Sequence, residues 1–221
     1  MYKNILLIAS LSIFTVSCSQ KTEEKIVDSS TLEKKSDSTS AEDDNAGYEI
    51  NAEVTSTKNW DLLIPDGFVL LDKASGDINN DGIEDMVLAV KSQHEKDEEL
   101  LGEEAPERKL ILLLKDSEGN YSVAAENSNA ILRKNMGGAG SDDPYQSITT
   151  KPGQFSITHM GGSTERWTYR HTFAYDKANN AWFLSSIEQG DFDADNPTGG
   201  NKTTETPKKF GKINFTDFKG I

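Results

Sequence analysis

The chain has 221 residues, with 37 acidic against 23 basic side chains and a net charge of −14. Such a balance argues against nucleic acid and anionic lipid surfaces as partners and favours divalent cations or cationic surfaces. The single cysteine, Cys18, excludes an intramolecular disulfide, and with only three histidines a closed zinc site has too few ligands.

The first element is a sorting signal: Lys3, an apolar run over 5–16, then small residues before Cys18. That run is too short to span a bilayer. "TVSC", 15–18, resembles the lipobox of bacterial lipoproteins, with Thr15 standing where that motif usually has Leu. The resemblance implies a signal peptide over 1–17, cleavage before Cys18, acyl chains on that cysteine and a membrane held through lipid. An ordinary secretory signal is the alternative.

From 18 to 47 the chain is Ser, Thr, Lys and acid with almost nothing to bury, which reads as a flexible tether. Glu23 and Glu24 loosely resemble the acidic surface-export signals of Bacteroidota lipoproteins, and "DST" at 37–39 resembles that group's O-glycosylation motif. Both patterns are short enough for chance to supply them. Together with the lipobox they imply a cell-envelope address, at the outer membrane of a Gram-negative bacterium.

Residues 48–221 suit one domain with a real core. Strand signals fall at 68–72, 86–90, 109–115, 121–125, 130–133, 154–159, 166–175, 181–187 and 212–215. Between them "DSEGN", "PG" and "DKANN" have hairpin-turn chemistry. An acidic insertion, 92–108, carries the one stretch with helical character, 95–101. The expected fold is mainly β: an antiparallel sheet, a sandwich or a few propeller-like blades.

"GDINNDGIEDMVLAV", 76–90, carries the most chemistry. Asp77, Asn79, Asp81 and Asp85 occupy loop positions one, three, five and nine, the Ile83 carbonyl is available at seven, and Gly82 at six permits a sharp turn. Hard oxygen donors in that phase suit calcium. Position twelve, where an EF-hand has its bidentate Glu, is Leu88 inside a strand. The stretch 68–90 resembles instead the FG-GAP, or VCBS-type, repeat of integrin-like propellers and bacterial surface proteins. That resemblance implies calcium on Asp77, Asn79, Asp81, Ile83 and Asp85, with Glu84 facing water. Only one copy is present, so a whole propeller does not follow. A plain turn is the other reading, because Asn, Asp and Gly are common turn residues for unrelated reasons.

A second acidic run, "GDFDADNP", repeats the odd spacing with Asp191, Asp193 and Asp195, but no acid stands at the ninth place and no strand signal follows. A solvated loop is expected there. Trp167, Tyr169, His171, Phe173 and Tyr175 alternate along one strand face; such a row either stacks on sugars or is core, and core is the commoner outcome. Arg166 and Arg170, on the opposite face, are expected to meet acids of a neighbouring strand. Gly-rich "NMGGAG" and "MGGS" precede no helix, so they are not phosphate cradles, but they can pass close to each other.

No catalytic signature is complete: "HEKDE" lacks a second His and there is no Gly-x-Ser-x-Gly elbow. The sequence therefore points to a non-enzymatic binding or assembly role, with carbohydrate or another envelope protein as the partner. The alternative is a polysaccharide hydrolase with structural calcium, which requires facing carboxylates beside exposed Trp167 or Tyr169.

Overall fold

Two runs in the chain, 86–90 and 110–114, are apolar without alternation, which a strand needs only when both of its faces are covered. In the computed structural model, which describes residues 56–95, 106–138 and 143–220, they are the two central strands of a four-stranded sheet. Its strands are β1 (Phe68–Gly76), β2 (Asp85–Ser92), β3 (Arg108–Lys115) and β4 (Tyr121–Asn127), antiparallel in the order β1-β2-β3-β4. A second antiparallel sheet follows in chain order: β5 (Tyr145–Lys151), β6 (Gln154–Gly162), β7 (Glu165–Asp176), β8 (Ala181–Asp193) and β9 (Asn196–Glu205). The fold is mainly β, as the strand signals imply.

The pleat sorts the apolar runs into two cores. Val87, Ala89, Leu110 and Leu112 join Phe155, Ile157, Phe173 and Leu184 of the second sheet in the main core. Met86, Leu88, Val90, Ile111 and Leu113 point the other way, under Leu63, Trp60, Ile64 and Phe68. Every residue of the second set is buried, and each such side chain contributes about 1.5–3 kcal/mol on leaving water. The 3-10 turn Trp60–Leu63 is thus a lid on the outer face of the first sheet.

The chain end closes the main core. A 3-10 turn, Phe215–Asp217, carries Phe215 edge-on to both Phe155 and Phe173 at 5.5 and 5.3 Å between ring centroids. Asn127 Nδ2 of β4 donates to the Phe215 and Phe218 carbonyls at 2.5 and 2.9 Å, tying this turn to the first sheet.

Two expected strands are not strands. Residues 130–133 are buried at Ala130, Ile131 and Leu132 yet belong to the crossover between the sheets, so apolarity there signals burial and not pairing. Residues 212–215 make a single bridge, Phe183 to Asn214. Conversely, β5 and β9 carry no such apolar signal. β5 sends Ile148 into the core, and β9 is exposed along all but its last residue. The expected helix at 95–101 begins in a turn at Glu95 and otherwise lies outside the described residues.

Candidate metal centre

The loop from Gly76 to Asp85 joins β1 to β2. Gly76 is required by contact, since a Cβ there would stand 2.5 Å from Thr150 Oγ1 of β5, which donates to the Ser75 carbonyl at 2.6 Å. Next, the Asp77 carboxylate turns inward and accepts the amides of Asp81 and Gly82 at 3.0 and 2.9 Å. Asn79 Oδ1 shares the Asp81 amide at 3.1 Å while its Nδ2 donates to Asp81 Oδ2 at 2.8 Å. Asp81 Oδ1 in turn accepts the Ile83 amide at 2.7 Å. Closing so tight a ring needs left-handed backbone at Asn80 (φ 59°) and Gly82 (φ 92°), residue types that tolerate it.

Ile78 and Asp85 fix this ring to the body. Ile78 is fully buried in the main core, and its carbonyl accepts the Trp182 indole N–H at 2.8 Å. Asp85 is also fully buried; its Oδ2 accepts the Ile78 amide at 3.2 Å and its Oδ1 the Lys115 amide at 3.0 Å. One carboxylate therefore joins the loop's start to the end of β3. Burial pushes Asp85 up to about 6, and the Asp81 and Asp77 charges push the same way against the two amides. Glu84 is exposed, as the resemblance implies.

Four side-chain oxygens groups and one carbonyl make a hard donor set, which fits calcium better than a soft or nitrogen-seeking metal. Each Asp oxygen that accepts one amide retains a second lone pair for a cation. As the side chains stand, Asp77, Asn79 and Asp81 form one ring while Asp85 lies behind it on backbone amides. Among the described residues no group of three or more His, Cys, Asp or Glu side chains is placed to hold a metal ion.

The second acidic run differs from expectation. A strand does follow it: Asp191 and Asp193 lie within β8, Asp195 in the turn, and β9 starts at Asn196. All three acids are exposed, and Asp191 accepts only an Asn201 Nδ2 bond at 3.2 Å. With Glu165, Arg166 and Asn201, Asp191 and Asp193 rim a shallow depression of about 350 Å³. Glu165 and Asp193 are register partners, side by side on neighbouring strands instead of facing across a cleft.

The aromatic row divides. His171 and Phe173 are buried, while Trp167, Tyr169 and Tyr175 are half-buried. Trp167 lies over Gly161, where a Cβ would meet its Cζ2 at 2.2 Å and the Gly137 carbonyl at 2.3 Å. The two glycine-rich segments thus do pass against each other. Arg170 faces Glu188 in register but bonds Thr149 Oγ1 at 2.8 Å, so the expected acidic partner is not engaged.

Sequence reasoning missed a buried charge cluster at the start of β3. Arg108, fully buried, makes bidentate bonds to Glu95 (2.7 and 2.8 Å) and Asp143 (2.6 and 2.6 Å) and donates to the Leu132 carbonyl at 3.2 Å. Burial opposes the Arg108 charge, but the two carboxylates outweigh it and raise its pKa. The Leu132 amide donates to His159 Nε2 at 3.2 Å, so the crossover is held by both its polar atoms. Burial lowers His159 and His171 to about 4 and keeps both neutral. The available signal was a lone Arg opening the run "RKLILLLK". Glu95 is spent on Arg108, which removes it from any zincin-like role.

No helix among the described residues is long and apolar enough to cross a membrane, which says nothing of β-barrels. Cys18 and the tether lie outside the described residues. No protein-family model matches the chain, and no curated protein does. One solved structure, a Xanthomonas type IV secretion system related protein, is similar at 16% identity and a TM-score of 0.33, over 65% of this chain and 57% of that one. The chain thus spans little more than half that protein's length, a likeness too slight to bear on fold or function.

Proposed function

We propose that the protein is a lipid-anchored cell-envelope protein whose β domain takes calcium in the 77–85 loop and serves a non-enzymatic binding or assembly role. The observation that carries the metal part is the ring at Asp77, Asn79 and Asp81, closed through left-handed Asn80 and Gly82 and backed by buried Asp85. A bare turn needs none of that backing. Asp85 is pushed up first by burial and further by the Asp81 and Asp77 charges, a negative field that a divalent cation relieves.

The test is thermal unfolding of the protein in calcium and in chelator, beside an Asp77→Ala, Asp81→Ala double variant. Calcium at a hundred times its Kd adds about 2.7 kcal/mol to the wild type. The double variant shows no such rise. An equal melting temperature with and without calcium in the wild type removes the metal and leaves the loop as a turn. Cys18→Ala tests the anchor: the variant leaves the membrane fraction, and its retention there overturns lipidation.

A further inference from the structure

The second sheet has one face in the main core and an outer face, open to solvent except at Ser156 and Thr172, which are buried and bonded to each other at 2.9 Å, and this outer face differs in charge from the rest of the chain. Register assigns the faces: Phe155, Ile157 and Phe173 are buried in the core, so their neighbours Ser156, Thr158 and Thr172 point outward. By the same alternation Lys151 (β5), Arg166 and Arg170 (β7) and Lys202 (β9) stand on the outer face, against a single unpaired carboxylate, Glu188 of β8. Asp176, also outward, is neutralised by Lys212 at 3.1 Å. The chain as a whole has a net charge of −14. None of the four cations has a carboxylate partner within 4.0 Å among the described residues.

Hydroxyls fill the space between these cations. Ser147, Thr158 and Thr204 share a row with Arg170, and Thr149, Ser156 and Thr172 form the next, with rows crossing strands about 4.8 Å apart. Arg170 reaches over β6 to Thr149, so its guanidinium is held along the sheet with donors to spare. Thr149, Lys151 and Lys202 are exposed; Arg166 and Arg170 are half-buried.

We infer that this outer face, from Lys151 to Lys202 across β5–β9, binds a polysaccharide bearing carboxylate groups. The inference rests on the envelope-binding reading and deepens it by naming a partner. Cations interspersed with hydroxyls match a polymer whose charges are separated by hydroxyl-bearing rings. Single-stranded nucleic acid calls for a run of aromatic stacking platforms, whereas the outward aromatics here, Phe192 opposite Arg166 and Phe183 opposite Ala174, stand far apart along β8 and the outward residue between Arg166 and Arg170 is Thr168. A bilayer calls for a large contiguous apolar face, and here Met160, Phe183 and Phe192 stand in separate rows among Ser, Thr and the cations.

The full-length protein, in chelator, is run through affinity gels containing hyaluronan, whose carboxylates fall on alternate sugars, or uncharged dextran. Hyaluronan retards it and dextran does not, and the retardation weakens with salt. Arg166→Gln with Arg170→Gln weakens binding about tenfold at an unchanged melting temperature, while Glu188→Gln strengthens it about twofold. Equal retardation by dextran, binding that survives the double arginine variant, or preference for single-stranded DNA or phosphatidylglycerol vesicles overturns the assignment. Because chelator is present throughout, failure here leaves the calcium reading standing, and a calcium-independent melt leaves this surface standing.

Discussion

Two stretches of this chain carry acids at the same odd spacing and end in different structures. At 77, 79 and 81 the side chains turn into their own backbone and close a ring, whereas Asp191 and Asp193 sit at the end of β8, on either side of a register shift against β9, and face water. The spacing is common to both, so the difference comes from what lies between. In the first, Ile78 is an anchor in the core, and Asn80 and Gly82 take positive φ. In the second, the interleaved Phe192 and Ala194 continue a hairpin, which needs no inward turn. Alternating acids make a loop only where the intervening residues permit left-handed backbone and where one of them is buried.

Asp85→Ala breaks the comparison most severely. It strands the Ile78 and Lys115 amides, and each buried donor left unmade costs about 1–3 kcal/mol. Urea unfolding is expected to report a loss of about 3–5 kcal/mol in total. A loss below about 1 kcal/mol means that water reaches those amides, and that the loop is no better anchored than the exposed hairpin.

Acid sharpens the contrast next. His159 and His171 are held neutral with pKa values near 4, below the ordinary 6.5. The unfolded chain therefore takes up protons first, so their contribution is complete above pH 6.5 and is lost as pH falls from 6.5 through 4. Each accounts for about 3 kcal/mol at the limit. Asp85 works the other way in part of that range, because its folded pKa is raised. A net loss of about 2–4 kcal/mol between pH 7 and 4 is expected in urea titrations. The loss shrinks in His171→Phe, which replaces a ring among rings; an unchanged pH profile in that variant refutes the assignment.

Much of the fold was legible because burial writes itself into composition. The runs at 86–90 and 110–114 announced central strands, and they proved covered on both faces. β9 was illegible for the opposite reason: "NPTGGNKTTE" buries nothing, and only its pairing with β8 makes it a strand. Residues 130–132 misled because a buried crossover and a buried strand have the same composition. At the candidate site, Asp77, Asn79 and Asp81 fell together as their phase suggested. The role of Asp85 as a tie to β3 depends on Lys115, thirty residues away, and no local pattern encodes that. The Arg108 cluster escaped for the same reason, since Glu95, Leu132 and Asp143 are remote in sequence.

Gly82→Ala has a smaller effect with a single cause. A Cβ at Gly82 meets nothing within 4 Å, so crowding contributes nothing, and only the φ of 92° resists a side chain. About 1–2 kcal/mol is expected. Asn is expected to recover part of that, because it tolerates left-handed backbone better than Ala. If Ala and Asn prove equal to Gly in urea midpoints, the ring does not depend on the turn that separates this loop from the β8–β9 hairpin.

The smallest effect belongs to the hairpin itself. Asp191→Ala removes one exposed bond, from Asn201 Nδ2, which water replaces, and it lessens the negative charge that Asp191 shares with Asp193 and Glu165 around one depression. Stability is expected to stay within about 0.5 kcal/mol of the parent, at an unchanged urea m-value. Asp77→Ala, in calcium-free buffer, leaves the Asp81 amide on Asn79 Oδ1 but takes the acceptor from the Gly82 amide and opens the ring, and so costs more than Asp191→Ala by about 0.5–1 kcal/mol. The ratio matters more than either value. Equal losses at the two sites place both acid runs in the same class of solvated turn, and the resemblance of 68–90 to a calcium repeat then reduces to shared turn residues. A clear excess at Asp77 shows that the ring is structural before any ion binds, which is the preorganisation a tight oxygen site requires.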